Sequence, residues 1–271
     1  MEIIQALQSI KNEFFDAFFV GVTKLGEEFW VSVIFAIVYF AVDKQLGKKL
    51  GYALFSSICF NTAAKDIVRE PRPISASWNR PLYTETATGY SFPSGHSQVA
   101  ATAYPVLAIR LKKVWGWIVC GLIVFLVGVS RLYLGVHWPI DVLCGWAFGL
   151  AFAFGISYVY DAFGHWTGLL ALVFVPGLFF LDAEDVFKGV GMFAGFAICM
   201  PLEDRYIKFT MEIPLWKKLV RLFAGLAYII AWKLLFDRIF PTGNFADLVQ
   251  YFLLSVLGFF VYPFIFTKCR F

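Results

Sequence analysis

The chain has 271 residues, 60% of them hydrophobic and 15% charged, with a mean hydropathy of +0.72. That is too apolar for a soluble globule. The net charge of +4 is what basic cytoplasmic loops give a membrane protein, and it implies no nucleic-acid partner.

Residues 1–26 carry Glu2, Lys11, Asn12, Glu13 and Asp16 and lack the basic start and apolar block of a cleavable signal. Within them Ile3, Leu7, Ile10, Phe14, Phe18 and Leu25 recur near helical spacing, with Gln5, Gln8, Lys11, Asn12 and Asp16 between. This pattern predicts an amphipathic helix lying in the membrane interface; a first spanning helix of irregular polarity is the alternative. Apolar runs follow at 27–43, 47–65, 94–111, 114–131, 139–160, 165–181, 188–204, 216–236 and 246–267. The expected fold is therefore all-α, a polytopic transmembrane helical bundle of about nine spans with an N-terminal interfacial helix. Its expected parts are the interfacial helix at 1–26, a core at 27–160 that holds every unusual polar cluster, and additional transmembrane helices at 161–271. Cys59, Cys120, Cys144 and Cys199 fall inside apolar spans and Cys269 stands near the end, so no disulfide framework or CxxC motif can be drawn. Gly145-x-x-x-Gly149 and Gly191-x-x-x-Gly195 read as close-packing helix faces.

Sidedness follows from the loops. Thirteen of the 23 Lys and Arg fall on one face by alternation, among them Lys44, Lys48, Lys49, Arg110, Lys112, Lys113, Arg205, Lys208, Lys217, Lys218 and Arg221. The positive-inside rule makes that face cytoplasmic and puts the loops 66–93 and 132–138 outside. The 66–93 stretch is the one long polar segment, and a loop of this length in a compact protein usually carries function.

Three clusters on that outer face stand out. "KDIVREPRP" sets Lys65 seven residues before Arg72-Pro73. "PSGH" runs from Pro93 to His96, and "SRLYLGVHWPID" places Arg131 six residues before His137, itself four before Asp141. Singly each has an ordinary explanation: a snorkelling lysine, a serine-capped helix start, an interfacial arginine. Together they put three cations and two of the three histidines on one face of an apolar chain, where ionisable groups are costly and by default functional. Arginine forks match phosphate oxygens and lysine adds a point charge. Ser94-Gly95-His96 opens a helix, so free backbone N–H groups and the helix dipole add to an anion site, with Gly95 allowing close approach. Pro139 fits the first position of a helix, which places Asp141 within reach of His137. A carboxylate on one ring nitrogen leaves the other free to attack phosphorus, while His96 has no such partner in sequence and suits protonation of a leaving oxygen. No HExxH, carboxylate cluster or P-loop lysine motif occurs, so neither a metal nor a cofactor is expected. His165, at a helix start without a partner, is assigned to structure.

The series K-x6-RP, PSGH and SR-x5-H-x3-D (Lys65, Arg72, Pro73; Pro93–His96; Ser130, Arg131, His137, Asp141) looks like the three-part signature of the type 2 phosphatidic acid phosphatase family. The resemblance covers residues 65–141. It implies a helical bundle and a metal-independent phosphatase with a phosphohistidine on His137. It further implies His96 as acid, Asp141 as orienter of His137, and Lys65, Arg72, Ser94, Gly95 and Arg131 as phosphate ligands. The expected activity is hydrolysis of a phosphomonoester or diphosphate on a membrane lipid at the outer or periplasmic face of the cell (inner) membrane. Undecaprenyl diphosphate is slightly favoured because Arg69, Arg80 and Lys188 offer charge for a second phosphate. Phosphatidic acid, phosphatidylglycerol phosphate and sphingoid phosphates remain alternatives, as does a silent lipid-binding or transport protein. The oligomeric state is left open.

Overall fold

A computed structural model describes residues 1–269, and every regular element among them is helical. In chain order the main helices are α1 (Glu2–Gln8), α2 (Glu13–Thr23), α3 (Glu28–Ile37), α4 (Lys44–Val68), α5 (Gly95–Leu111), α6 (Val114–Tyr133) and α7 (Pro139–Phe163). They continue with α8 (Ala171–Phe174), α9 (Gly177–Phe180), α10 (Glu184–Leu202), α11 (Leu215–Ile239), α12 (Asn244–Val256) and α13 (Tyr262–Lys268). The helices form two compact units, Met1–Ser32 with Ala63–Gly155, and Val33–Thr62 with Ile156–Phe271.

In the first unit, α5, α6 and the start of α7 pack together because glycine removes the side chains that would hold them apart. A Cβ on Gly145 would sit 2.8 Å from the Ser94 carbonyl oxygen, and one on Gly149 2.5 Å from that of Gln98. The first of the two expected glycine faces is therefore a real α7–α5 contact. Helix α2 lies against α6: Phe19 stacks on Tyr133 with ring centroids 4.3 Å apart, over a buried patch completed by Leu134 and Val136. Asn12 caps α2, accepting from Phe15 N at 2.9 Å.

The expected amphipathic helix at 1–26 is two helices, and their buried faces carry polar groups. Gln8 and Thr23 are buried alongside Ile4 and Phe19, while Ile3, Ile10, Phe14 and Phe18 are exposed. The segment Glu13–Gly26 bends by 52° into Glu28–Val42.

The second unit is built on aromatic rings. Phe35, Tyr39 and Phe55 meet Phe196 and Phe259 in edge-on and tilted contacts, and Phe55 stacks on Phe193. Gly191 and Gly195 let α10 approach α12 so closely that a Cβ would lie 2.3 Å from Leu248 O and 2.6 Å from Ser255 Cβ, which makes the second glycine face a contact too. Its charged cluster joins Lys44 and Lys48 on α4 to Glu203 and Asp204 just past α10, with Lys44 Nζ 2.6 Å from Glu203 Oε2. Lys49 reaches Asp161 at 2.7 Å.

Among the described residues, five helices are long and apolar enough to cross a membrane, or six if the bent pair counts as one span. The sequence reading of about nine is larger for physical reasons. Helix α4 carries Lys44, Lys48, Lys49, Lys65 and Asp66, α5 is 17 residues long with buried Ser97, Gln98 and Thr102, and past Phe163 the chain continues only in a 3-10 helix and two four-residue helices.

Candidate active site

The site lies in the first unit, where three chain segments converge: the end of α4 with the 69–94 loop, the start of α5, and the α6–α7 connection. Ser94 is the N-cap of α5, its Oγ accepting from Ser97 N at 3.5 Å and from the Ser97 hydroxyl at 3.0 Å. Its backbone N–H donates to Asp141 O at 3.0 Å, which ties the start of α5 to the first turn of α7. Pro139 opens α7, where a missing N–H is harmless.

His137 and Asp141 are both buried, with His137 Nδ1 3.3 Å from Asp141 Oδ2. That oxygen also accepts from Trp138 N at 2.8 Å and from the Ser91 hydroxyl, whose Oγ lies 3.4 Å from Nδ1. A carboxylate held from three sides favours the Nδ1–H tautomer and points the lone pair of Nε2 away from it. Burial, reinforced by the charges of Arg131, Arg72, Lys65 and His96, holds the His137 imidazole well below its ordinary pKa. A neutral ring with a directed lone pair is a competent nucleophile.

One cation reaches Nε2 directly, and the charges of Lys65 and Arg131 also bear on the ring. Arg72 Nη1 lies 3.0 Å from Nε2 and donates to Val136 O at 3.0 Å, while the other arms of the guanidinium donate to Gly89 O and Thr88 O. Lys65 Nζ donates to Tyr90 O at 3.0 Å. Carbonyls of residues 88–90 thus hold Arg72 and Lys65 in place, and Gly89 takes the positive φ of 60° that the turn requires. Burial takes the Arg72 guanidinium down to about 10.

Arg131 is fully buried. Its Nη1 donates to Thr23 Oγ1 at 2.9 Å, and its Nε and Nη2, though buried, have no hydrogen-bond acceptor among the described residues. His96 Nε2 is buried in the same condition, and the charges of Arg131, Lys65 and Arg72 all bear on that ring. Donors on Arg131, an imidazole, two further cations and a helix N-terminus make a pocket suited to a tetrahedral oxyanion beside a nucleophile.

All eight residues singled out from sequence therefore lie in this unit, and His137 contacts both Asp141 and Arg72. Three groups at the site had no sequence signal of their own: Ser91 and Trp138 on the Asp141 carboxylate, and Thr23 on Arg131. The charges considered for a second phosphate are engaged by carboxylates. Arg80 pairs with Asp16 at 2.7 Å, Arg69 with Asp66 at 3.1 Å, and Lys188, in the other unit, with Glu184 at 2.8 Å. His165 stands against Trp166, with ring centroids 5.2 Å apart.

Residues 46–164 match the model of the PAP2 superfamily, and residues 187–271 match that of the PAP2 superfamily phosphatase transmembrane extension. Phosphatidylglycerophosphatase B of Bacillus subtilis is 33% identical over 165 residues, 56% of this chain and 78% of that protein. The chain belongs to the PAP2 superfamily. Other PAP2 relatives include the undecaprenyl-diphosphatase of Sulfolobus acidocaldarius, 32% identical over 48% of this chain and 63% of that enzyme, a little under two thirds of its length. Among solved structures, Aquifex aeolicus LpxE aligns with a TM-score of 0.53 at 26% identity, covering 59% of this chain and 94% of that one. The transmembrane PAP2 type phosphatidylglycerolphosphate phosphatase of Bacillus subtilis aligns with a TM-score of 0.52 at 31% identity, covering 60% and 84%. The family resemblance carried by the three motifs is thus borne out, and the extension accounts for helices beyond the motif-bearing region.

Proposed function

We propose that this protein is an integral membrane phosphatase that hydrolyses a lipid phosphomonoester or diphosphate to the lipid product and inorganic phosphate. The observation that carries the reading is His137, its Nδ1 on Asp141 and its Nε2 3.0 Å from the Arg72 guanidinium. In this mechanism Nε2 attacks phosphorus in line, the bond from phosphorus to the lipid-side oxygen breaks, and His96 delivers the proton to that oxygen. Water then hydrolyses the phosphohistidine, releasing phosphate and returning Nε2. Arg131, Lys65, Arg72 and the N–H groups of the Ser94–Gly95 helix start stabilise the equatorial oxygens, and the Ser94 hydroxyl lines the same end. Arg72 must turn from Nε2 toward the phosphate for the lone pair to be used.

The finer topology belongs to the same proposal. Lys49 on Asp161 and Lys44 on Glu203 bring residues 161 and 203 to the first turns of α4. Helix α10 runs 184–202 toward that end, and Gly168 packs on Ala197 while Gly177 faces Val186, so 164–180 runs antiparallel to α10. Gly164, at φ 58°, makes the reversal. With 27–42 taken as the first crossing, counting 164–180, α4 and α5 as crossings too gives nine spans, with the catalytic end of α4 opposite Lys44. The positive-inside rule then sets the active site on the outer or periplasmic face of the cell (inner) membrane. The parts are a membrane-surface segment at 1–26, the catalytic core at 27–160 and the helices of 161–271.

Undecaprenyl diphosphate remains in the substrate class because of the relatives named for it. The carboxylate pairing of Arg80 and Arg69 favours a second reading, in which one phosphate is bound and monophosphates turn over equally well. The test is phosphate release by detergent-purified protein from micellar undecaprenyl diphosphate, phosphatidic acid, phosphatidylglycerol phosphate and a sphingoid phosphate, with and without EDTA and vanadate. Turnover indifferent to EDTA and blocked by vanadate is expected. No release from any lipid overturns the assignment, and loss on chelation restored by magnesium overturns the mechanism.

A further inference from the structure

The superfamily match begins at residue 46, yet a buried residue well before it touches the phosphate site. Thr23, the last residue of α2, is fully buried with its Oγ1 2.9 Å from Arg131 Nη1. Arg131 is equally buried, and its Nε and Nη2 are the arms with no acceptor among the described residues. A guanidinium is a rigid planar fork, so fixing one Nη fixes the directions of the other donors.

The segment bearing Thr23 is itself clamped to the site. A Cβ on Gly26 would lie 2.8 Å from the backbone oxygen of His96 and 2.6 Å from Val127 Cγ1, so the 3-10 turn Lys24–Gly26 that follows α2 packs on the helix start that carries the proposed acid. Tyr104 OH donates to Leu25 O at 2.9 Å, and Tyr83 OH to Glu27 at 2.8 Å. Farther back, Asp16 accepts from Arg80 and from the Tyr133 hydroxyl at 2.6 Å. Gln8 donates to Asn79 Oδ1, Arg80 O and Tyr133 O. The N-terminal segment is strapped to both loops that frame the site.

We propose that Thr23 is a positioning residue for phosphate binding: its hydroxyl holds one arm of Arg131 so that Nε and Nη2 face the substrate phosphate. The inference rests on the phosphatase reading and deepens it, because it makes residues 1–27 part of the site. Loss of the Oγ1 acceptor leaves a buried guanidinium with a third unmatched donor and frees it to rotate, and misplacement of this kind costs on the order of 10- to 100-fold in kcat/KM.

The experiment compares wild type, Thr23→Val and Thr23→Ser in full-length, detergent-purified protein. Two readouts are taken: kcat and KM for lipid-phosphate hydrolysis, and the shift in melting temperature produced by orthovanadate. Thr23→Val conserves shape and removes the acceptor. It is expected to lose about 10- to 100-fold in kcat/KM and most of the vanadate shift while melting near wild type without anion. Thr23→Ser restores the acceptor and is expected to stay within a few-fold of wild type. The proposal is overturned if Thr23→Val keeps wild-type kcat/KM and vanadate shift, or if Thr23→Ser falls as far as Thr23→Val. A wild type that hydrolyses no lipid phosphate overturns the underlying function instead, and the vanadate shift still reports whether Thr23 governs anion binding.

Discussion

Replacing Asp141 with Asn tests the proposed chemistry most directly, because it removes a charge while keeping shape. The carboxylate oxygen Oδ2 lies 3.3 Å from His137 Nδ1 and accepts from Trp138 N and Ser91. An asparagine carbonyl can take those same donors, so the ring stays in place and its tautomer survives. What disappears is the negative charge facing the imidazolium that forms when Nε2 bonds to phosphorus. At 3.3 Å and an effective dielectric of about 20, two unit charges interact by roughly 5 kcal/mol. The charge is spread over two oxygens and shared with two donors, so about 3–5 kcal/mol is expected in the transition state. At 1.36 kcal/mol per decade this is on the order of a 10²- to 10⁴-fold fall in kcat. KM should change little, since the carboxylate does not face the phosphate. The assay is phosphate release from lipid micelles under saturating substrate, with melting temperature as the folding control. A folded Asp141→Asn protein within tenfold of wild-type kcat would refute the His137–Asp141 mechanism.

Three further outcomes follow from the same geometry. Because burial lowers the His137 pKa, its imidazole stays neutral as pH falls through the ordinary value of 6.5 and is protonated only below it. The enzyme-borne acid limb of kcat/KM, separated from substrate titration by using two substrates of different phosphate pKa, should therefore lie below 6.5, and a limb at or above that value contradicts the neutral-nucleophile assignment. Arg80→Ala should change mono- and diphosphate turnover by the same modest factor and be matched by Asp16→Asn, since Arg80 is held by Asp16; a loss confined to the diphosphate would show that Arg80 binds a second phosphate instead. Gly149→Val should lower stability by about 1–3 kcal/mol or more through overpacking against Gln98 O and Ala101, whereas Gly155→Ala, with nothing within 4 Å, should not; equal melting temperatures for the two variants would remove the α5–α7 contact from the account.

The residues of the candidate site were legible because charge and imidazole are rare in an apolar chain and because each motif is local. His137 and Asp141 are four apart across a helix start, and Ser94 caps the helix that begins at Gly95, so short-range rules of capping and helical reach recover their geometry. The glycine faces were legible for the same reason, four-residue spacing being a helix's own period. What sequence could not supply is partnership across distance. Thr23 meets Arg131 over 108 positions, Ser91 meets Asp141 over 50, and Arg80 meets Asp16 over 64. In "FFVGVTKLG" a threonine looks like any small residue of a helix end, and counting charges assigns Arg80 to a ligand because it cannot see the carboxylate opposite. The unseen Arg80–Asp16 pair and the unseen Thr23–Arg131 contact therefore share one cause. A buried polar group acquires its role from whichever segment folds over it, and here that segment is the N-terminal strap, whose alternation of apolar and polar residues reads on paper as a surface helix. Its polar positions do not all face water: Gln8 and Thr23 are buried, one bonded to the Tyr133 carbonyl and the other to the Arg131 guanidinium of the proposed phosphate site.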